Sequence, residues 1–289
     1  MKIKKLTCLA AFALACFTAH NVMGQTEGLF DLRFEFATGV TAQQQADLQP
    51  SLDATESFWE SIIPGYQQDV TLDGIIINVD VQMIDGSGGP NGNILATGGP
   101  GPGAPFDQAG FSFITNGTVF TNGTSTGVTS SVGNLTVDSA DFSTSLIVDV
   151  LKHEVGHALG FGTLFDFGMN NLVTAAGGQY IGPEGLAAYQ AEFNATTATF
   201  IPLDQDNGHY IEASNLTDQF GRIFGDELLT PIIENTPNAM NPDVNYVSDT
   251  TIAVLRDLGY NAVAPVAIPE PSSMVLLALG GLVLCRRRR

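Results

Sequence analysis

The chain has 289 residues, 44% of them apolar, with 30 acidic against 11 basic side chains and a formal net charge of −19. Charge of that sign argues against nucleic acid and anionic membrane surfaces as partners. The three cysteines, Cys8, Cys16 and Cys285, all lie in terminal segments, so the body between them has no disulfide, no thiol nucleophile and no thiolate that could hold an enzyme latent.

At the start, Lys2, Lys4 and Lys5 precede an apolar run from Leu6 to Phe17, and Val22-Met23-Gly24 follows as a small-residue cleavage site. This order predicts a secretory signal over residues 1–24. A lipoprotein site at Cys16 is the alternative, but Leu14 stands one place from where that signal needs it. Residues 30–36 alternate as a strand. Residues 41–63 read as a helix with Trp59 on its apolar side and with Pro50 at a bend or at the start of a second part. Residues 74–83 form an apolar strand, so strand, helix and strand together suit a mixed sheet. Residues 85–105 are rich in glycine and proline and read as a surface loop that could rim a cleft. Residues 111–120 and 126–137 read as short strands, with Asn-Gly turns at Asn116 and Asn122.

From Ser145 to Leu159 the apolar residues Leu146, Ile147, Val150, Leu151, Val155, Ala158 and Leu159 recur at helical spacing. On that helix lies His153-Glu154-Val155-Gly156-His157, the HExxH pattern of a zinc peptidase. Residues four apart share a helix face, so both imidazoles can reach one ion, while Glu154 borders the open coordination position as a general base. Gly160 ends the helix with a left-handed turn. Gly156 costs about 1 kcal/mol relative to alanine inside a helix, which implies that another backbone packs closely there.

The chain has four histidines, and His20 falls in the signal segment. His153, His157 and His209 remain, and a catalytic zinc wants three protein ligands plus water. The other reading of His209 is an ordinary surface or core histidine. With the full ligand set, Glu154 would take a proton from water and pass it to the leaving amine, which makes the reaction amide hydrolysis without a covalent intermediate. Asp204-Gln205-Asp206-Asn207, just before His209, reads either as a solvated acidic turn or as a calcium site that fixes the third ligand.

The run His153 to Phe161 resembles the opening of the metzincin signature HExxHxxGxxH, but Thr163 stands where the third histidine belongs. The chain is similar instead to the leishmanolysin branch, in which a long insertion separates the glycine from the third histidine and a Glu-Leu-Met turn follows. The resemblance spans most of residues 30–260 and is concentrated in three short blocks. It implies that Gly208-His209-Tyr210 supplies the third ligand and that Asp226 to Pro231 is the turn beneath the metal. Residues 246–260 resemble the closing helix, capped by Ser248 and ended by Gly259. The turn methionine is Leu229 in this alignment, a swap that costs under about 1.5 kcal/mol in packing; a shifted alignment would use Met240. The implied fold class is α+β and zincin-like: a mixed twisted sheet with an active-site helix, then an irregular C-terminal part ending in a helix. Residues 25–262 would be one domain, with 25–160 above the cleft and 161–262 below it.

At the far end Pro269-Glu270-Pro271 precedes an apolar stretch, Met274 to Cys285, and then four arginines. So few apolar residues are short of the roughly 20 that a permanent span needs. The order resembles the PEP-CTERM sorting signal of some Gram-negative bacteria, and implies over residues 263–289 a transient inner-membrane anchor handled by exosortase-type machinery. A plain short anchor is the alternative. Seven of the eleven basic residues lie in the two terminal segments, so Arg33, Lys152, Arg222 and Arg256 face 29 acidic residues in the body, a net of about −25. The sequence thus points to an exported zinc endopeptidase acting on protein or peptide substrates at the cell surface or in the matrix. The competing reading is an adhesion or matrix protein that keeps such a fold without turnover, yet has no use for Glu154.

Overall fold

A computed structural model describes residues 30–67, 70, 72–85, 94–101, 120–122, 125–141, 145–167, 170–234 and 244–264. The expected signal segment, the Asn116 turn, Met240 and the sorting tail from 265 onward lie outside them. In chain order the first half contains β1 (Asp31–Phe36), α1 (Ala42–Ile62), β2 (Gly74–Gln82), β3 (Ala96–Pro100), β4 (Phe120–Asn122), β5 (Ser125–Gly127) and β6 (Val132–Asp138). The second half contains α2 (Ile147–Ala158), β7 (Gln179–Tyr180), α3 (Pro183–Glu192), β8 (Ile201–Pro202) and α4 (Asp249–Asp257).

The main sheet is mixed, as expected, in the order β1-β2-β6-β3. β1, β2 and β6 run parallel, and β3 pairs antiparallel with β6 at the edge. α1 makes the crossover from β1 to β2 that a parallel pair requires. It begins with a reciprocal cap, in which the Gln44 N–H donates to Thr41 Oγ1 and the Thr41 N–H donates to Gln44 Oε1. Its buried residues Leu48, Leu52, Thr55, Trp59 and Ile62 recur every three or four positions. That stripe carries the helix straight through Pro50, whose side is exposed, so no second helical part begins there. Alternate residues Ile75, Ile77 and Val79 of β2, with Leu135 and Val137 of β6, turn to the same core. α2 covers that face, and the fully buried Trp59 ties α1 to it by donating from Nε1 to Lys152 O at 3.1 Å.

Two expectations about strands need correction. The glycine- and proline-rich stretch 85–105 contains β3, because an edge strand pairs on one side only and can end in a proline such as Pro100. The single strand expected over 126–137 is two. β4 and β5 form a hairpin in which Asn122, the last residue of β4, stands opposite Ser125. The chain then leaves that ladder, since the Asn170 side chain takes both backbone groups of Val128, accepting from its N–H and donating to its carbonyl.

After α2 the chain is less regular, as expected, but it contains α3, which the sequence did not announce. The N-terminus of α3 has no side-chain cap of its own, and Gly182 stands there. Asp257, the last residue of α4, supplies it, accepting from Glu184 N at 3.1 Å, Gly185 N at 2.8 Å and Tyr180 Oη at 2.9 Å. In return Glu192, the last residue of α3, accepts from Asp249 N, Thr250 N and Thr250 Oγ1 at the start of α4. Each helix thus places a carboxylate on the other's exposed N–H groups. α4 also has the expected Ser248 cap, and Gly259 follows in a positive-φ turn.

Candidate metal centre

α2 carries His153 and His157 one turn apart and ends at Gly160, whose φ of 108° permits the sharp exit that the sequence predicts. Its side chains meet two other segments. Leu229 lies against Gly156, where an added Cβ would stand 2.7 Å from Leu229 Cδ2. The close neighbour expected at Gly156 is therefore a side chain and not a backbone. On the other side β3 passes over the helix so closely that a Cβ at Gly98 would stand 2.2 Å from the Glu154 carbonyl oxygen.

The three imidazoles of the body come together. His157 Nε2 lies 3.0 Å from His153 Nε2 and 3.1 Å from His209 Nε2. Each ring is held at its other nitrogen: His153 Nδ1 by Leu228 O at 2.6 Å, His157 Nδ1 by Phe161 O at 3.1 Å, and His209 Nδ1 by Asp204 Oδ2 at 2.9 Å. Carbonyl and carboxylate oxygens only accept, so every Nδ1 must carry the hydrogen and every neutral Nε2 must present a lone pair. Burial pushes the His153 ring down to about 4, and burial together with the neighbouring imidazoles holds His157 well below the usual histidine range. Both rings are thus neutral near neutral pH.

Three Nε2 lone pairs pointing at one another repel, and a cation between them removes the repulsion. Two nitrogens bound to one tetrahedral zinc lie roughly 3.3 Å apart, close to the separations here. The donor set, its spacing and the fixed tautomers therefore fit zinc. Glu154 follows His153 on α2. Burial pushes its carboxyl up to about 8, against the pull of a hydrogen bond from the Gly98 N–H.

The turn beneath α2 is built around Glu227, which is fully buried. Its carboxylate accepts from Leu229 N, Ser248 N, Ser248 Oγ and Thr251 Oγ1, so it binds the turn to the start of α4. Burial raises its carboxyl to about 7. The folded protein therefore holds this proton more tightly than the unfolded chain, whose carboxyl titrates near 4.5, and the contribution to stability is lost as pH rises through the interval between them. In denaturant unfolding of the metal-free protein, the parent is expected to lose up to roughly 3 kcal/mol more than Glu227→Gln between pH 4.5 and pH 8. Identical losses would refute this, since terms from the imidazoles are common to both proteins.

The three histidines singled out in the sequence meet here, and Glu154 follows the first of them on α2. What the sequence did not reveal is what holds them: the Leu228 and Phe161 carbonyls, the Gly98 N–H and the Asp204 carboxylate. Phe161, four residues past His157, and Asp204, five before His209, are local to the rings they hold, but Leu228 and Gly98 come from distant segments. In the acidic turn at 204–207 the Asp204 and Asn207 side chains turn inward, while Gln205 and Asp206 are exposed. Asp204 Oδ1 accepts from Gly208 N at 2.9 Å and Oδ2 from His209, while Asn207 Oδ1 accepts from Gly178 N. Hydrogen bonds within the chain thus fix the third imidazole, and nothing in the turn points to calcium.

A family model for leishmanolysin, peptidase family M8, matches residues 104–266, more than half of the chain. The chain belongs to the leishmanolysin family. A model of the PEP-CTERM protein-sorting motif matches residues 267–289. No curated protein matched the chain. The leishmanolysin match covers α2, His209, the Glu227 turn and α4, and leaves β1 to β3 outside it. Leishmanolysins are zinc-dependent metallopeptidases, which agrees with the histidine triad. The sorting motif indicates export to the cell surface of a Gram-negative bacterium through exosortase-type processing. Among the described residues no helix is long and apolar enough to cross a membrane.

Proposed function

We propose that the protein is an exported zinc endopeptidase in which His153, His157 and His209 hold one zinc ion and Glu154 is the general base. The observation that carries this reading is the convergence of three Nε2 atoms whose Nδ1 partners leave them all as acceptors. When bound, zinc makes water acidic near neutral pH and polarises the scissile carbonyl. The chain's own groups do the rest. Glu154 takes the proton from the attacking water and delivers it to the departing amine. The Gly98 N–H holds the Glu154 carboxylate in place. Leu229, packed on Gly156 between the two helical ligands, takes the part of the turn residue under the metal.

The edge position of β3 supports an endopeptidase. Among the described residues this strand pairs with β6 alone, and it passes directly over Glu154. An extended peptide laid against its free edge would bring a backbone carbonyl to the ion without needing a chain end. In this reading residues 25–160 form the upper part of one domain and 161–262 the lower part, zincin-like in arrangement. Residues 1–24 direct export, and residues 263–289 anchor the chain in the inner membrane until it is cut near Pro269-Glu270-Pro271.

Removal of zinc by a chelator is expected to abolish hydrolysis of an unfolded protein, and one equivalent of zinc to restore it. If the protein binds one zinc and still cleaves nothing across a panel of unfolded proteins, the adhesion or matrix reading takes its place.

A further inference from the structure

The three imidazoles are held by partners of different kinds. His153 and His157 donate to backbone carbonyls, whose places are set by the turn at Leu228 and the end of α2. His209 donates to a side chain, and that side chain is a carboxylate. It is also the ligand with the least support from its surroundings. His153 and His157 are on a helix and buried, whereas His209 is only partly buried and lies in a loop between the isolated bridge partners Leu203 and Tyr210.

Asp204 holds this loop from three directions. Oδ2 accepts from the ring, Oδ1 accepts from the Gly208 N–H just before the ligand, and the Asp204 N–H donates to the His209 carbonyl at 2.9 Å. We infer that Asp204 is a positioning residue for the third metal ligand and sets how tightly the ion is held, an inference that rests on the zinc reading above. Two physical effects act together. The carboxylate confines a ring that would otherwise rotate on an exposed loop, and its negative charge makes the opposite nitrogen a stronger donor to a cation. Neither neutral carbonyl supplies that charge, so the metal's dependence on its outer partners is concentrated at Asp204.

Asparagine tests this with little change in shape. Its one oxygen can serve either Gly208 N or His209 Nδ1, and its NH2 then faces the other N–H. The measurement is zinc affinity of the full chain by competition with a chromophoric chelator, for the parent, Asp204→Asn and Asp204→Glu. Alongside it, urea unfolding is followed with the metal removed. The expected result is a 10- to 100-fold weaker affinity for Asp204→Asn, partial recovery in Asp204→Glu, and metal-free unfolding midpoints that agree. Equal zinc affinity in parent and Asp204→Asn overturns the inference alone. So does a metal-free midpoint that falls in proportion to the affinity, because Asp204 would then only fold the loop. A parent that binds no zinc overturns the metallopeptidase reading and this inference with it.

Discussion

Glu154→Gln is expected to lower hydrolysis of an unfolded protein by about 10²- to 10⁴-fold while one zinc stays bound, because general acid–base transfer contributes that much and the three imidazoles are untouched. Glutamine matches glutamate in size and can still accept from the Gly98 N–H, so the loss reports the missing proton acceptor and not a collapsed site. The measurement pairs initial rates with zinc content. A variant with parental rate would show that some other group takes the proton. A variant that loses both rate and zinc would show that Glu154 shapes the ligand set itself.

Gly98→Ala is the second large effect, and it falls outside the family match, on the edge strand. An added Cβ would stand 2.2 Å from the Glu154 carbonyl oxygen and 2.8 Å from the Glu154 Cβ. Both obstacles belong to the middle of α2, pinned by Trp59 and by the core, so β3 must lift away from the helix. Overpacking of this kind costs about 1–3 kcal/mol. The lift also withdraws the Gly98 N–H from the Glu154 carboxylate, so activity is expected to fall by about tenfold or more beyond any loss of folded protein. Gly99→Ala is the control for stability. A Cβ there meets nothing within 4 Å among the described residues, and its unfolding midpoint is expected to match the parent's. Equal midpoints for both variants would mean that β3 does not press on α2 as described.

The parts legible in the sequence share one property: their signals are short. His153, Glu154 and His157 follow from a four-residue spacing on a strongly periodic helix. The Thr41 and Ser248 caps and the turn at Gly160 lie within a few residues of the ends they close. His209 was reached differently, by counting the histidines left in the body and by resemblance. For β3 and α3 the deciding partner is far away in the sequence. β3 looked like a loop because its glycines and proline suit one, yet β6 supplies its ladder and Glu154 explains its glycine. α3 was hidden because Asp257, more than seventy residues later, provides its cap. The acidic turn before His209 suggests solvent or calcium; Gln205 and Asp206 are exposed, and only the folded loop shows Asp204 directed at the His209 ring.

By itself, then, the sequence determined the three imidazoles, the carboxylate that follows the first of them, the helix that spaces two of them and the C-terminal segment that marks export. Those depend on residue chemistry and on local periodicity, which the chain carries within a turn or two of helix. Only the tertiary structure decided which acceptor holds each Nδ1, how the edge strand reaches Glu154, and how an imidazole 52 residues beyond His157 comes within 3.1 Å of it. Such contacts close long loops and have no period, so they exist only once the core has brought their segments together.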